Sequence, residues 1–557
     1  MDMTNIPIGE VLKEKGYITG EQLNAALEIH RRSGKRVGDV LVEMGLVTER
    51  QILSAMAQKM NLQILSLETC PVDIEAVRRI PRTLADKYCA IAVSQANQRL
   101  TVVIDDPLKF YGIEDIRQLT GMTVDTALAE RREIEHAIDV YYSEIEARRA
   151  ASAVAADPLP DVAQAIREIE EGDETPVIKL LSSLLLHGYN VGASDIHIEP
   201  METETRIRLR IDGMLLPYLE TDRGLHPALV ARIKILSNLD IAEKRSPQDG
   251  HFKTRVDGVE MNLRTSVVPS MFGEKVVLRY LNSSAPVVNA RQFGMNEKNY
   301  QKFQRMLQNP NGIIYLTGPT GSGKTTTLYF ALEELVRRPV NISTIEDPVE
   351  RHIRGVTQMQ VNPLAGLTFD SGLRALLRQD PDIIMVGETR DSETASISVR
   401  SAITGHLVLS TLHTNDALST IVRLEDMGVE PFLVANSVVG LVAQRLVRRI
   451  CPHCKEAYQP AEQERALFGM PPERLYRGKG CPACSQTGYR GRIAVHEVVA
   501  VDREMRRMIT SRRPIEDLYA YAREQQGFTN LVEEARGLAL EGVTTAEELT
   551  KLTYYVD

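Results

Sequence analysis

The chain has 557 residues, a formal net charge of −9, no tryptophan and six cysteines. At this length a single hydrophobic core is not expected, and about three or four domains are the prior. The acidic balance argues against wholesale binding to nucleic acid or to an anionic membrane surface. The sequence shows neither a charged-then-apolar leader nor an apolar run near the roughly 20 residues that a membrane-spanning helix needs, which predicts a cytoplasmic protein.

A sequence repeat occupies residues 1–60. The segment P-I-G-x-x-L-x-x-x-G, which begins at Pro7, returns 29 residues later as R-V-G-x-x-L-x-x-x-G, which begins at Arg36. This repeat predicts two helix-turn-helix units. The pattern resembles the tandem N-terminal motif of secretion and pilus ATPases that bind cyclic di-GMP through an opening arginine and a closing glutamine. The first unit has proline in the arginine position, and His30 and Lys59 replace the glutamines, so a helical docking module for a partner remains the alternative.

Two further segments precede the chemistry-bearing part of the chain. Residues 61–145 contain short apolar runs and one stretch of helical spacing, which predicts a small α/β domain. Residues 146–175 are rich in Ala, Glu and Asp and contain two prolines. This composition predicts a linker that is partly helical and lets the N-terminal module move.

A third domain is predicted at 176–285. Its segment 205–212 alternates polar and apolar residues as a half-buried strand does, and it places Arg206, Arg208 and Arg210 on one face. Three arginines on one face repel one another unless an anionic group faces them, such as the phosphates of a nucleotide or an acidic surface. A solvated strand face is the alternative.

The segment 312–338 has the order strand, glycine-rich loop, helix. Its loop reads G-x-x-x-x-G-K-T, in which the glycines allow backbone N–H groups and a helix N-terminus to face a triphosphate. Lys324 is expected to reach the β- and γ-phosphates and Thr325 to hold Mg²⁺. A chance glycine-rich turn is the alternative, but the flanking strand and helix argue against it. The residues predicted to hold the nucleotide are Gly318, Pro319, Thr320, Gly321, Ser322, Gly323, Lys324, Thr325 and Thr326.

Acidic residues follow two further apolar segments. T-I-E-D-P-V-E ends in Glu350, and I-I-M-V-G-E ends in Glu388. Carboxylates at the carboxyl ends of parallel strands lie in the crevice where a nucleotide binds, so one of them could order the attacking water. The second segment resembles a Walker B strand with Gly387 in the usual aspartate position, which leaves Glu388 to reach Mg²⁺ through water.

Two histidines flank the apolar segment between them, His406 at its start and His413 at its end. Only the His413 end reaches the nucleotide side of the sheet if this strand runs parallel to the others. We therefore interpret His406 as structural and His413 as a sensor of the γ-phosphate.

Four segments together resemble the type II secretion and type IV pilus assembly ATPases. They are G-P-T-G-S-G-K-T, T-I-E-D-P-V-E, L-R-Q-D-P-D-I-I-M-V-G-E-T-R-D and T-G-H-L-V-L-S-T-L-H-T-N-D-A. The resemblance implies an α/β multidomain chain with a RecA-like P-loop motor domain at 286–557, preceded by a PAS-like α/β domain at 176–285. It also implies a homohexameric ring in which ATP and Mg²⁺ lie between these two domains.

The same resemblance assigns roles to single residues. Glu350 corresponds to the family's general base and Glu388 to its Walker B glutamate. Arginines from the preceding domain, with Arg208 and Arg210 as candidates, are implied to close the site. Family arginines near the nucleotide or the subunit boundary correspond to Arg374, Arg378, Arg390 and Arg423.

Two C-P-x-C pairs lie within residues 451–484, separated by 26 residues. Each pair offers two thiolates to a tetrahedral Zn²⁺, and four thiolates leave no open position, which predicts a structural metal. Free or redox-active thiols are the alternative. Retraction-type motors of the family lack this element, so the chain resembles an assembly or export motor. The predicted ligands are Cys451, Cys454, Cys481 and Cys484.

These observations predict a cytoplasmic, Mg²⁺-dependent ATPase that powers assembly of a pilus or pseudopilus. The resemblance implies peripheral attachment to the inner membrane through a platform protein and a membrane-anchored partner with a cytoplasmic domain. A motor for DNA uptake or conjugation-type translocation is one alternative, although no basic or aromatic track for direct nucleic-acid binding is visible. A regulatory scaffold that binds nucleotide without hydrolysing it is another.

Overall fold

The computed structural model describes residues 7–107, 109–156, 176–281 and 294–556. The chain divides into two compact units, Met1–Ser283 and Ser284–Asp557. Among the described helices, none is both long and apolar enough to cross a lipid bilayer.

Four helices form the N-terminal repeat: Ile8–Glu14 (α1), Gly20–Ser33 (α2), Val37–Glu43 (α3) and Glu49–Met60 (α4). The helices α2 and α4 begin with the same capping box. Thr19 and Thr48 accept a hydrogen bond from the N3 backbone, and the N3 residues Gln22 and Gln51 accept one from the cap. The two helix pairs start 29 residues apart, at Ile8 and Val37, and therefore follow the period of the sequence repeat.

A four-stranded sheet follows, with strand order β1-β4-β3-β2. Its strands and helices are Gln63–Ile64 (β1), Ile74–Val77 (α5), Arg82–Tyr88 (α6), Ala90–Ala96 (β2), Arg99–Ile104 (β3), Phe110–Thr120 (α7), Thr123–Leu128 (β4) and Arg131–Ala156 (α8). The first residues of the predicted linker at 146–175 are thus the end of α8. Its remainder, 157–175, lies outside the described residues.

The six strands of the third domain form an antiparallel sheet in the order β7-β6-β5-β10-β9-β8. The elements are Pro176–Asn190 (α9), Asp195–Pro200 (β5), Glu204–Ile211 (β6), Met214–Asp222 (β7), His226–Leu236 (α10), Gln248–Val256 (β8), Val259–Ser270 (β9) and Gly273–Tyr280 (β10). Alternation in β6 buries Ile207 and Leu209 in the core and leaves the arginines on the other face.

The second unit is built on a seven-stranded sheet in the order β13-β12-β14-β15-β11-β16-β19. Its strands are Gly312–Thr317 (β11), Ile342–Glu346 (β12), Thr357–Gln360 (β13), Ile383–Val386 (β14), Leu407–Leu412 (β15), Val438–Ile450 (β16) and Tyr489–Ala500 (β19). The hairpin Lys455–Tyr458 (β17) and Leu475–Gly478 (β18) lies outside this sheet. Each pairing in the sheet is parallel except that of β16 with β19.

Helices cover both faces of this sheet: Glu297–Leu307 (α11), Lys324–Leu335 (α12), Phe369–Leu376 (α13), Ser392–Ile403 (α14), Ser419–Asp426 (α15), Pro431–Ser437 (α16), Arg503–Thr510 (α18), Ile515–Gln526 (α19), Leu531–Leu540 (α20) and Ala546–Val556 (α21). The short helix Glu462–Arg465 (α17) lies between the two strands of the hairpin and buries no side chain. The interior strand β11 is buried throughout, with Ile313 and Tyr315 in one core and Ile314 and Leu316 in the other. Because the strands run parallel, the carboxyl ends of β11, β12, β14 and β15 meet at one edge, where the phosphate loop, Glu388 and His413 lie.

Candidate active site

The phosphate loop, residues 318–325, connects β11 to α12 and requires glycine at two positions. Gly318 has φ +148° and Gly323 has φ +86°. A Cβ atom on Gly318 would lie 2.4 Å from the carbonyl oxygen of Gln444, and one on Gly323 would lie 2.8 Å from its Nε2. Only glycine therefore allows the loop to rest on β16 while its backbone curls around the space for phosphates.

Lys324 is the first residue of α12 and is buried. Its Nζ donates to the carbonyl oxygens of Gly318 at 2.7 Å and Pro319 at 3.1 Å. The pKa of Lys324 is lowered to about 8, chiefly by burial; the charge of Glu388 opposes this shift and that of Arg445 adds to it. An ammonium group in so poorly solvated a position gains more from an anionic partner than an exposed lysine does.

The other predicted phosphate-loop residues lie beside Lys324. Thr325 and Thr326 are half-buried in the first turn of α12. Pro319 and Thr320 are exposed, and Ser322 is buried.

One side chain of β16, Gln444, supports this loop and a second, Arg445, lies beside Gly318; neither was predicted as a site residue. The Nε2 atom of Gln444 donates to the carbonyl oxygen of Ser322 at 2.8 Å, and its Oε1 accepts from Thr327 at 2.7 Å. Arg445 is buried and donates from Nη2 to the carbonyl oxygen of Asn415 at 3.0 Å. The signal in the sequence was a glutamine and an arginine that directly follow the apolar run 438–443 of this strand.

Glu388 and His413 converge on the same edge of the sheet. The carboxylate of Glu388 pairs with Arg390, and its Oε2 lies 3.6 Å from Nε2 of His413. Burial raises the pKa of Glu388, but hydrogen bonds and charges of Arg390 and His413 outweigh it, so the net shift is downward. Burial and the charge of Lys324 lower the pKa of His413. At neutral pH the site therefore holds an ionised carboxylate beside a neutral imidazole.

The two glutamates of T-I-E-D-P-V-E have different surroundings. Glu346 is buried and accepts hydrogen bonds from Tyr329 and Thr344, both at 2.5 Å, and from Gln358 at 3.0 Å. Glu350 is exposed, and its backbone N–H donates to the hydroxyl of Tyr329 at 3.1 Å. Tyr329, which sequence reasoning did not single out, thus joins the buried glutamate to the loop that carries the exposed one.

His406 lies at the opposite edge of the sheet from His413. Its Nδ1 forms a hydrogen bond with the carbonyl oxygen of Ser401 at 2.9 Å. Because β15 pairs in parallel with β11, His413 follows the carboxyl end of its strand, at the same edge as the phosphate loop, and His406 precedes the other end.

The four predicted metal ligands come together. Their sulfur atoms lie within 4.8 Å of one another, and three of the pairs are separated by 3.7 to 3.9 Å. A tetrahedron of thiolates about 2.3 Å from a central Zn²⁺ has edges of about 3.8 Å. The cluster, Cys451, Cys454, Cys481 and Cys484, therefore has the donor set and the spacing to hold one such ion.

Comparison with known proteins identifies the family. The profile described as "Type II/IV secretion system protein" matches residues 170–551. The chain belongs to the type II/IV secretion ATPase family. A second profile, described as the MshEN domain, matches residues 60–148.

Relatives of this secretion ATPase cover nearly all of its length. The type IV pilus assembly ATPase PilB of Myxococcus xanthus is 38% identical, over 97% of this chain and 98% of the relative. The type II secretion system ATPase E of Vibrio cholerae is 39% identical, over 87% and 98%. The ATPase DotB of Legionella pneumophila has the same fold, with a TM-score of 0.51 and 21% identity over 67% of this chain and 95% of that structure. The predicted membership of the secretion and pilus assembly ATPases is confirmed.

The arginines of β6 in this secretion ATPase face carboxylates of its own chain. Arg208 binds Glu199 through two hydrogen bonds of 2.7 and 2.9 Å, and Nε of Arg210 lies 3.7 Å from Asp195. The hydrogen bonds and charges of Arg208 and Lys275 outweigh the effect of burial and lower the pKa of Glu199 to about 2. Strand β5 supplies both carboxylates because it pairs with β6. The β6 arginines were expected to face an anionic group, and Asp195 and Glu199 of the same chain are two such groups.

Arg374 and Arg378 of the secretion ATPase lie in a separate cavity of about 570 Å³. It is formed by α13 and α14, and none of the phosphate-loop residues lines it. Arg374 pairs with Glu393 at 2.7 Å, and Arg378 donates to the carbonyl oxygen of Arg374 at 2.8 Å. Within its own unit, the structure does not bring these two arginines to the phosphate loop.

In the N-terminal repeat of the secretion ATPase, the guanidinium of Arg36 pairs with the buried carboxylate of Asp106. The first unit has Pro7 at the N-cap of α1, without a side-chain hydrogen bond. The arginine that the repeat supplies is therefore engaged within the chain.

Proposed function

We propose that the chain is an ATP-hydrolysing motor that powers assembly of a pilus or pseudopilus, in type II secretion or type IV pilus biogenesis. The observation that carries this proposal is the meeting of Lys324, Glu388 and His413 at one edge of a RecA-like sheet. Phosphoryl transfer to water requires positioning and charge neutralisation more than covalent chemistry, and these groups supply both.

In this proposal Lys324 and the backbone N–H groups of the phosphate loop hold the β- and γ-phosphates. Mg²⁺ fits the residues present, since Thr325 offers a hydroxyl and Glu388 an ionised carboxylate, and when bound it neutralises phosphate charge. His413, neutral at pH 7, hydrogen-bonds the γ-phosphate or its product.

Glu350 is the general base in this mechanism. Its exposed position on the loop after β12, tied through its backbone to Tyr329, leaves the carboxylate within reach of water. Glu346 is a poor alternative because three donors already satisfy its buried carboxylate.

Arginines complete the site in a homohexameric ring. Arg210 is a better candidate for phosphate than Arg208. Its carboxylate partner is 3.7 Å away and its one hydrogen bond goes to the carbonyl oxygen of Gly213, whereas Arg208 binds Glu199 through two of its nitrogens. Arg374 and Arg378 act at the subunit boundary in this proposal, where the cavity that they line is available to a neighbouring copy.

Zn²⁺ is the metal we assign to the four-cysteine cluster. Its thiolates would fill all four positions of a tetrahedral ion, so that the metal ties the segment 451–484 together without a catalytic role.

The partners and the location are also proposals. The motor is cytoplasmic and attaches peripherally to the inner membrane through a platform protein and a membrane-anchored partner with a cytoplasmic domain. The net charge of −9 supports the absence of direct nucleic-acid binding.

Cyclic di-GMP is a candidate ligand of the N-terminal repeat. The position of Arg36, at the N-cap of α3 and in the place of the motif's opening arginine, supports it; the MshEN profile matches the neighbouring segment 60–148. A ligand phosphate would compete with Asp106 for the guanidinium of Arg36. Titration of cyclic di-GMP into the wild type and Arg36→Ala tests this, since equal binding to both proteins would exclude Arg36 as a contact.

Nucleotide binding and turnover in matched variants test the motor. Lys324→Ala should lose ATP binding, whereas Glu350→Gln should retain binding and lose turnover by roughly 100- to 10,000-fold. Glu524→Gln, an exposed glutamate on α19, is the control and should behave as wild type. Wild-type turnover in Glu350→Gln would remove its role as base. Nucleotide binding without turnover in every assembled form of the wild type would favour the scaffold.

A further inference from the structure

A cavity of about 520 Å³ lies at the edge of the motor sheet away from the phosphate loop. It is formed by α11, α18, α19, the start of β16 at Val439 and the end of β19 at Ala500. Since β16 runs parallel to β11, and the phosphate loop follows the carboxyl end of β11, this cavity is distinct from the nucleotide site. Its volume falls within the range of about 300 to 1,000 Å³ that is typical of small-molecule pockets.

Three cationic side chains line the cavity, Lys302 and Arg305 from α11 and Arg506 from α18. In the described part of the chain, neither Nζ of Lys302 nor Nε of Arg506 has a hydrogen-bond partner, and both atoms are buried. Three positive charges around one cavity, two of them with buried donors unsatisfied, form an arrangement that an anion stabilises.

The two carboxylates recorded near the cavity carry fewer charges than its three cations, and their hydrogen bonds go to neutral donors. Asp502 lines it, but its Oδ1 accepts from two backbone N–H groups of α18 at 2.9 and 3.1 Å. Its Oδ2 accepts from Tyr521 at 2.8 Å and Gln526 at 3.2 Å. Glu534, whose charge reaches Lys302, accepts from Asn296 at 2.7 and 2.8 Å.

The electrostatic surroundings of Lys302 agree with an excess of positive charge around the cavity. Burial lowers its pKa, the charge of Lys298 lowers it further, and Glu534 opposes the shift. An anion in the cavity would favour the charged form of the amine.

We propose that this cavity binds a small phosphorylated anion. Phosphate is the group that suits two arginines and a lysine, because a guanidinium donates a pair of parallel N–H bonds to phosphate oxygens and an ammonium adds a point charge. Apolar walls from Met306, Val439 and Val501 leave room for a short organic part.

Calorimetric titration of pyrophosphate into the full chain, with the nucleotide site saturated by ADP and Mg²⁺, tests the proposal. The double variant Lys302→Gln/Arg506→Gln should bind pyrophosphate at least tenfold more weakly, and Lys302→Arg should bind it within threefold of wild type. The control is Arg503→Gln, which removes one positive charge, against two in the double variant, at an exposed position of α18 outside the cavity and should leave affinity within twofold. Glycerol 3-phosphate and dihexanoyl phosphatidic acid, titrated likewise, separate a free phosphate from a lipid headgroup.

Three results would overturn the proposal: no pyrophosphate binding to the ADP-saturated wild type, equal binding to the double variant, or equal weakening by Arg503→Gln. Citrate that binds as tightly as pyrophosphate would overturn the preference for phosphate. ADP affinity verifies the fold of each variant. If the double variant no longer binds ADP, Arg305→Gln, at an exposed residue that lines the cavity, replaces it in the experiment. This variant is expected to lose at least fivefold in pyrophosphate affinity.

Discussion

Gln444→Leu is expected to weaken nucleotide binding as well as stability. Leucine has a similar volume but no polar atoms, so the carbonyl oxygen of Ser322 loses the donor that lies 2.8 Å away. The hydroxyl of Thr327 loses its acceptor at 2.7 Å but keeps the carbonyl oxygen of Gly323 at 3.5 Å. One buried acceptor left without a donor costs about 1–3 kcal/mol. If this cost falls on the nucleotide-binding conformation of the loop, the Kd for ADP rises roughly 5- to 150-fold.

Equilibrium ADP binding and urea unfolding, measured on the same preparations, separate the two effects. The matched control is Gln526→Leu, because Gln526 also bridges backbone groups, accepting from the N–H of Ala500 at 3.1 Å and donating to its carbonyl oxygen at 2.7 Å. Gln526→Leu should lower stability and leave the Kd for ADP within twofold. Wild-type ADP affinity in Gln444→Leu, or equal losses of affinity in both variants, would refute the argument that Gln444 positions the phosphate loop.

Three further predictions concern pH and metal. Burial raises the pKa of Glu497 from 4.5 to about 7. Because the pKa of Glu497 is higher in the folded state than in the unfolded state, the free energy of unfolding should fall by up to about 3 kcal/mol as pH rises from 4.5 to 8. Urea unfolding of Glu497→Gln should show only a small part of this fall. Arg208→Ala leaves Lys275 as the one cation paired with Glu199, so it should lower the free energy of unfolding by about 2 kcal/mol at pH 7. This difference between wild type and variant should shrink as pH falls from 4.5 toward about 2, because Glu199, whose pKa is lowered to about 2, becomes protonated. Cys454→Ser should lower the zinc content measured by plasma mass spectrometry and the melting temperature together, and unchanged zinc would contradict a four-thiolate site.

The nucleotide edge of the sheet could be predicted because its determinants are local. The phosphate loop is one continuous segment between a buried strand and a helix. Glu388 and His413 meet because parallel strands place their carboxyl ends together, a rule that needs only strand direction. The phosphate loop and the meeting of Glu388 with His413 therefore follow from the residue pattern of short, continuous segments.

The supporting residues could not be predicted in the same way because their roles depend on distant pairing. Gln444 reaches Ser322 across 122 positions of the chain, through the pairing of β16 with β11. The carboxylates opposite the β6 arginines could be predicted in part, since alternation along β5 places Asp195 and Glu199 on the same face of the strand. Their partnership required the register of β5 against β6, which alternation alone does not specify.

The measurement that tests the central claim most directly is ATP turnover against protein concentration, with the mass of the assembly recorded in parallel, for the wild type and Glu350→Gln. A ring motor whose site is completed by a neighbouring subunit predicts turnover that rises as the hexamer forms and is lost in the assembled variant. Turnover that does not depend on assembly, or that is equal in the two proteins, would contradict it.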